Sequence, residues 1–195
     1  MKVNLKKITG NWDEGYVLDK HSIKSVPIGQ NAYGHTQFDT LRTEVGEATF
    51  LLKNRDDFSQ VQPLAQQLAK SIFPQLANVG FILPMPASKT RPRQPVTEIA
   101  NALGAIVGKP VFNELLLKTP TGQSMKDMTS KAEKLEAIGN SLSISDILAG
   151  DGPWNCLLID DLFHTGASME KACTVLRAYP KVRKIYVAAL TWRPA

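Results

Sequence analysis

From about residue 60 onward, helical and strand-like runs of apolar residues alternate along the chain. Val61, Leu64, Ala65, Leu68, Ala69 and Ile72 are spaced i, i+3, i+4, i+7, i+8, i+11, one face of a helix. Ser59 with Gln62 forms a possible capping box, while Pro63 suggests that the regular helix begins there instead; Pro74 lies beyond its end. Val79 to Leu83 is a short buried strand. Pro95 suits a first helical turn, Val96, Ile99, Ala100, Leu103, Ile106 and Val107 mark the helix, and Gly108 stops it. Val111-Phe112 and Leu115 to Leu117 read as a strand with its approach. The polar, aperiodic Lys118 to Thr129 reads as a loop. Ser130 with Glu133 caps a helix through Ile138, closed by Gly139-Asn140, and Ser141 to Ile144 is an edge strand. Gly150 to Pro153 is a turn. Cys156 to Ile159 then form a strand, followed by Asp160, Asp161, Leu162, Phe163, a short loop from His164 to Ser168, and a helix with Met169, Ala172, Cys173 and Leu176 on one face. Lys184 to Thr191 is a last strand.

The first 50 residues are patterned less clearly. Tyr16 to Leu18 and Ser25 to Ile28 read as short strands, Gly29 to Gly34 as a turn-rich loop, and Thr43 to Leu52 as either a strand or the start of a helix. His21 and His35 receive no role. The alternation elsewhere predicts an α/β fold, a parallel doubly wound sheet with helices on both faces. Without repeats or a linker, the chain reads as one compact domain, with residues 1–50 as an N-terminal elaboration of a core spanning 51–195.

Composition narrows the function classes. The chain has 195 residues, 43% of them hydrophobic, enough for a sizeable core. No apolar run approaches the roughly 18–20 residues that span a bilayer, and no apolar segment follows the basic N-terminus, so the expected location is the cytoplasm, away from membranes. Cys156 and Cys173 fall on apolar faces without a CxxC pair, which excludes a zinc knuckle or disulfide framework. A net charge of +5 suits an anionic partner, either a polyphosphate metabolite or nucleic acid; it equally suits a merely soluble surface.

The candidate chemistry lies at 156–169. A loop that leaves a strand and opens a helix aims backbone N–H groups at one point, and the helix dipole adds positive potential there. Thr165 and Ser168 supply hydroxyls, and Gly166 and Ala167 allow close approach. Phosphate is the natural guest, yet GxGxxG and GxxxxGK[ST] are both absent, which argues against a Rossmann cofactor site and a P-loop. Asp160 and Asp161 would repel phosphate unless they bind something else, such as ribose hydroxyls or Mg²⁺. Their plain alternative is to end the strand and cap a turn. A second basic loop, Pro84 to Arg93, follows the strand at 79–83, where open α/β sheets bind ligands.

LLIDDLFHTGAS resembles the 5-phosphoribosyl-1-pyrophosphate (PRPP) signature of type I phosphoribosyltransferases. LLKNRDDFSQVQPLAQQLA, LPMPASKTRPRQP and LLKTPTGQSMKDMTSKAEKLEAIGNSLSI resemble blocks of the ComF-like, amidophosphoribosyltransferase-like branch, associated with DNA uptake in competent bacteria. The resemblance covers roughly residues 41–192. It implies the type I phosphoribosyltransferase fold with a small β-rich hood that shapes the acceptor pocket. Asp160 and Asp161 would hold the ribose hydroxyls, and His164, Thr165, Gly166, Ala167 and Ser168 the 5′-phosphate. Ala87, Ser88 and Lys89 would form the pyrophosphate loop with Arg91 beside it, and Lys118 to Met128 a closing loop. The implied reaction is transfer of phosphoribosyl from PRPP to a nitrogen acceptor, with pyrophosphate released. Mg²⁺ would be bound mainly through PRPP, with Asp160 and Asp161 as its possible side-chain ligands, and a homodimer is common in this fold. Trp192 either stacks on the acceptor or covers the core. His164 departs from the small residue usual at its position; it either donates to the phosphate or contributes only backbone. The ComF-type N-terminal cysteines and a glutaminase region with its cysteine nucleophile are missing. The competing reading is a binding protein for PRPP, nucleotide or nucleic acid, with Arg91, Arg93, Lys126, Lys131 and Lys134 contacting phosphates.

Overall fold

The computed structural model describes residues 1–89, 91–119 and 142–194. Its main sheet is built by β1 (Lys6–Lys7), β2 (Glu14–Lys20), β9 (Val182–Trp192), β8 (Trp154–Phe163) and β5 (Val79–Pro84), in that spatial order. β2, β9, β8 and β5 run parallel; β1 pairs antiparallel with β2 at the edge. Four parallel strands therefore end on the same side.

Both faces of this sheet are covered, as the near-continuous apolar runs of the central strands require. On β8, Leu157 and Ile159 point to one face and Cys156 and Leu158 to the other; on β9, Tyr186, Ala188 and Leu190 alternate with Ile185, Val187 and Ala189. The first face packs against α1 (Glu44–Asn54), α2 (Val61–Ser71) and α3 (Pro95–Val107) through Leu52, Leu64, Leu68, Ile99 and Leu103. The second packs against α4 (Ala167–Arg177) through Met169, Ala172, Cys173 and Leu176, with Ile8 and Trp12 beside them. The mixed α/β architecture with a mostly parallel sheet is the one expected from the alternation of elements.

Several local expectations change. Thr43 to Leu52 is helical: the Thr43 hydroxyl accepts from the Gly46 N–H and caps α1. Ser59 caps nothing. Asp57 instead caps a short 3-10 turn over Phe58–Gln60, and α2 begins at Val61, so Pro63 sits in the first turn, where its missing N–H breaks no bond. Ile106 is exposed, outside the buried face of α3. Val111 adds only a parallel bridge to Ile82. β6 (Leu116–Lys118) and β7 (Leu142–Ile144) pair with each other as a separate ribbon, so the strand expected at 141–144 does not edge the main sheet. The helix expected from Ser130 to Ile138 and most of the polar loop after Lys118 lie outside the described residues.

Residues 1–50 divide between two structures. Glu14–Lys20 is a full member of the main sheet, with Val17 and Leu18 completely buried. β3 (Lys24–Gln30) and β4 (Thr36–Leu41) form a separate antiparallel ribbon that is exposed almost throughout. The turn-rich loop read at 29–34 becomes the end of β3 and its hairpin connection.

Candidate functional site

The site is created where two neighbouring strands part. After a register shift between Val79 and Phe81, β5 and β8 stay paired from Phe81↔Cys156 to Pro84↔Ile159, and the Met85 N–H still bonds the Ile159 carbonyl at 2.7 Å. Beyond that point β8 continues to Phe163 paired only with β9. The side of Asp160 to Phe163 that β5 has left is open, and a cleft of about 520 Å³ fills the gap. Its wall includes Asp160, Asp161, Ala87, Ser88, Lys89, Arg91, Lys118 and Lys53. A second hollow of about 100 Å³, sharing Asp160, Leu162 and Ser168 with the first, is lined by His164, Thr165, Gly166 and Ala167.

Strand alternation aims the two acids at opposite faces. Asp161 points to the α1 side, where Lys53 Nζ lies 2.6 Å from its Oδ2. Asp160 accepts the Asp161 N–H on Oδ1 at 2.8 Å. Burial holds the Asp160 carboxyl well above the usual carboxylate range, and the neighbouring Asp161 charge pushes the same way, against the Asp161 N–H, Lys53 and Lys118.

The loop at 164–166 turns directly into α4. Gly166 adopts φ 79°, and a Cβ there would come within 3.0 Å of the Phe163 ring, so this position requires glycine on two counts. Phe163 is itself held edge-on against Trp12. His164 and Thr165 are exposed at the mouth, and the N-terminus of the 11-residue α4 faces the hollow.

In the second loop, Ala87, Ser88 and Lys89 lie exposed along the cleft, and the Lys89 carbonyl accepts from Gln94 Nε2 at 2.8 Å. Lys118 Nζ donates to Ser88 Oγ at 2.8 Å, joining this loop to the end of β6. Arg91 donates to the Lys53 carbonyl at 2.7 Å and lies 3.8 Å from Asp56. Arg93 is bidentate to Glu98 and stacks on Phe58. Both arginines offered for nucleic-acid phosphates thus have partners within the chain; Lys126, Lys131 and Lys134 lie outside the described residues.

Trp192 stands apart from the cleft's lining. Lys6 Nζ sits 3.6 Å from its ring centroid and Lys20 Nζ 5.3 Å, so ammonium groups already occupy its π surface. His21, which received no role from the sequence, is buried behind the acids. Its Nδ1 is 3.2 Å from Thr191 Oγ1, and that hydroxyl donates to the Asp161 carbonyl at 3.0 Å. Thr191 has one proton to give, so His21 Nδ1 must carry the proton of their shared bond. Cys156 and Cys173 are buried free thiols; burial pushes both pKa values up, that of Cys173 to about 12.

Lys53 is the site residue that sequence reasoning passed over. It lies in the last turn of α1, one residue past the Thr43 to Leu52 segment read as either strand or helix, and more than a hundred positions from Asp161. Only the apolar spacing of Val45, Ala48 and Leu52, which puts Lys53 one residue past a buried face, hinted at its placement.

No family model and no curated protein matches this chain. Solved structures do. The glutamine PRPP amidotransferase of B. subtilis aligns at a TM-score of 0.50 and 15% identity, over 82% of this chain and 34% of that one. The fold is that of the type I phosphoribosyltransferases. This chain spans about a third of the amidotransferase's length. The adenine phosphoribosyltransferase of Leishmania tarentolae aligns at 0.49 and 10% identity, over 97% of this chain and 95% of that one. The orotate phosphoribosyltransferase of Aeropyrum pernix aligns at 0.43 and 15%, over 87% and 76%. Among the described residues no cluster of three or more His, Cys, Asp or Glu could cage a metal, and no helix is long and apolar enough to cross a membrane.

Proposed function

We propose that the protein is a phosphoribosyltransferase that moves the 5-phosphoribosyl group of PRPP to a nitrogen acceptor. The observation that carries this reading is the acid pair at the parting of β5 and β8, with a phosphate-sized loop on one side and Ser88 and Lys89 on the other. That arrangement offers hydroxyl acceptors between two anion sites, the charge pattern of PRPP itself.

In this reading the N–H groups at the start of α4, with Thr165 and Ser168, hold the 5′-phosphate, and Asp160 and Asp161 accept from the ribose hydroxyls. Ala87, Ser88 and Lys89 receive the pyrophosphate, with Arg91 behind them. The C1–O bond to pyrophosphate breaks as the acceptor's nitrogen bonds to C1. The electron pair leaves on the pyrophosphate, and the nitrogen loses its extra proton to solvent. Positive charge on Lys89 stabilises the leaving group as its charge develops. The partly buried carboxylates of Asp160 and Asp161 on the cleft wall are hard oxygen donors that fit Mg²⁺, which keeps several waters and needs only one or two carboxylates. When bound, Mg²⁺ would offset charge on the pyrophosphate. Residues 1–50 would shape the acceptor side, and the resemblance of the sequence blocks supports a place in the ComF-like branch.

Calorimetric titration with Mg²⁺–PRPP tests this, followed by pyrophosphate release with purine, pyrimidine and amine acceptors. Binding that is abolished in Asp161→Asn is the expected result. A wild-type protein that takes up no Mg²⁺–PRPP refutes the proposal.

A further inference from the structure

Among the described residues, the cation paired with the acids comes from α1. Lys53 Nζ is 2.6 Å from Asp161 Oδ2; its side chain is 43% exposed, whereas that of Asp161 is 14% exposed. The backbone beneath it is fixed, because Arg91 donates to the Lys53 carbonyl and approaches Asp56. The ammonium at the end of its four-carbon stem is the movable part. It lies on the wall of the same cleft as Ser88, Lys89 and Lys118.

We infer that Lys53 is a substrate-contacting cation that changes partners: it neutralises Asp161 while no anion is present and turns to the pyrophosphoryl oxygens of an incoming ribosyl pyrophosphate. This rests on the proposed function. The argument is one of charge and competition. An acid pair repels a polyanion, so a cation at its border is required before the ligand arrives. Lys53 occupies one of the two Asp161 carboxylate oxygens, so a ribose hydroxyl accepted there competes with it. One rotation of the stem frees that oxygen and adds a positive charge on the phosphate side. Arg91 donates to the α1 backbone and Lys118 to Ser88; among the described residues, Lys53 is the cation in direct ion-pair contact with the acids.

The alternative role, a strut tying α1 to β8, predicts different behaviour. Lys53→Met and Lys53→Arg are compared with wild type by calorimetry using Mg²⁺–PRPP, Mg²⁺–pyrophosphate and ribose 5-phosphate, alongside thermal melting. Loss of one charge-assisted contact corresponds to about tenfold or more in affinity. Lys53→Met should therefore weaken PRPP and pyrophosphate by about that factor while binding ribose 5-phosphate as well as wild type or better, and Lys53→Arg should recover most of the loss. Equal weakening of all three ligands with a lowered melting temperature makes Lys53 a strut and overturns the inference. So does a Lys53→Met protein indistinguishable from wild type; in that case PRPP binding by wild type leaves the proposed function standing. A wild type that binds neither PRPP nor pyrophosphate sinks both.

Discussion

His21 should make the protein acid-sensitive in a pH range where most carboxylates are still ionised. It follows β2, is only 8% exposed, and shares its Nδ1 proton with Thr191. Burial, then the charges of Arg193, Arg42 and Lys53, hold its pKa down to about 4 from an ordinary 6.5; Asp161 alone opposes them. The unfolded chain takes up a proton as pH falls through 6.5, whereas the folded chain resists until about 4. The unfolded state binds more protons across that window, so stability drops as pH falls. The contribution is complete above pH 6.5 and is lost progressively towards pH 4. At about 1.4 kcal/mol per pH unit, some 2 to 3 kcal/mol disappears by pH 4.5. Asp160 acts with the opposite sign, because its folded pKa is raised and the folded state binds the extra proton. The wild-type curve alone therefore understates the effect. Urea unfolding of wild type and His21→Gln at pH 7.5, 6.5, 5.5 and 4.5 isolates it, since subtracting the two curves removes Asp160. The glutamine amide can still donate to Thr191 but does not titrate. A difference curve that is flat between pH 6.5 and 4.5 refutes the reasoning.

Other positions give simpler outcomes. Gly166→Ala places a side chain at φ 79° and against Phe163; it should cost more than about 1 kcal/mol in thermal melts and weaken phosphate binding at the loop, read by calorimetry with ribose 5-phosphate. Leu64→Ala removes a fully buried side chain of α2, and urea unfolding should show a loss of about 2–5 kcal/mol. Asp13 accepts from the Ile185 N–H at 2.9 Å and pairs with Arg177 at 3.1 Å. Burial opposes its ionisation, but these two partners outweigh burial and hold its carboxyl below 3.8. Asp13→Asn should cost about 1–3 kcal/mol at pH 7, and the gap between variant and wild type should narrow as pH falls below 3.8, measured by urea unfolding.

The features legible in the sequence were those that local pattern determines. The apolar spacing from Val61 to Ile72, the strand at 79–83 and the strand–acid–loop–helix of 156–177 depend on neighbours a few positions away, and each element forms, although α2 begins at Val61 rather than Pro63 and β8 runs on through both acids to Phe163. Thr43 to Leu52 was ambiguous because its Val45, Ala48 and Leu52 face is short; the Thr43 cap and the close approach of Gly46 to the His21 carbonyl decide it, and the latter is a tertiary contact. The place of Glu14–Lys20 beside β9 could not be read because parallel pairing joins segments more than 160 residues apart. The site divides the same way. Ser88, Lys89 and the loop at 164–168 follow strand ends and were found there. Lys53 reaches Asp161 from another element, and Trp192 is covered by lysines from β1 and β2; neither relation leaves a local trace.

Several polar groups of the cleft are partnered by its own walls. Asp161 holds Lys53, Ser88 holds Lys118, and Arg91 holds the end of α1. On the proposed reading, Asp161, Lys53 and Ser88 must each leave, or share, a partner within the protein to meet the substrate. A free phosphate offers the cations a new partner but leaves the acids facing a like charge. A free pentose satisfies the acids but leaves the ammonium groups without an anion. Only a molecule carrying hydroxyls between two phosphate groups replaces every displaced contact at once. Preorganisation of this kind selects against fragments of the substrate more than it strengthens binding of the whole, because the internal pairs set a threshold that a fragment cannot repay. The expected signature is an affinity for Mg²⁺–PRPP that exceeds what ribose 5-phosphate and pyrophosphate achieve when added together. If the two fragments jointly protect the protein in thermal melts as well as the intact molecule does at equal concentration, the walls are not competing with the ligand, and the internal pairs are structural alone.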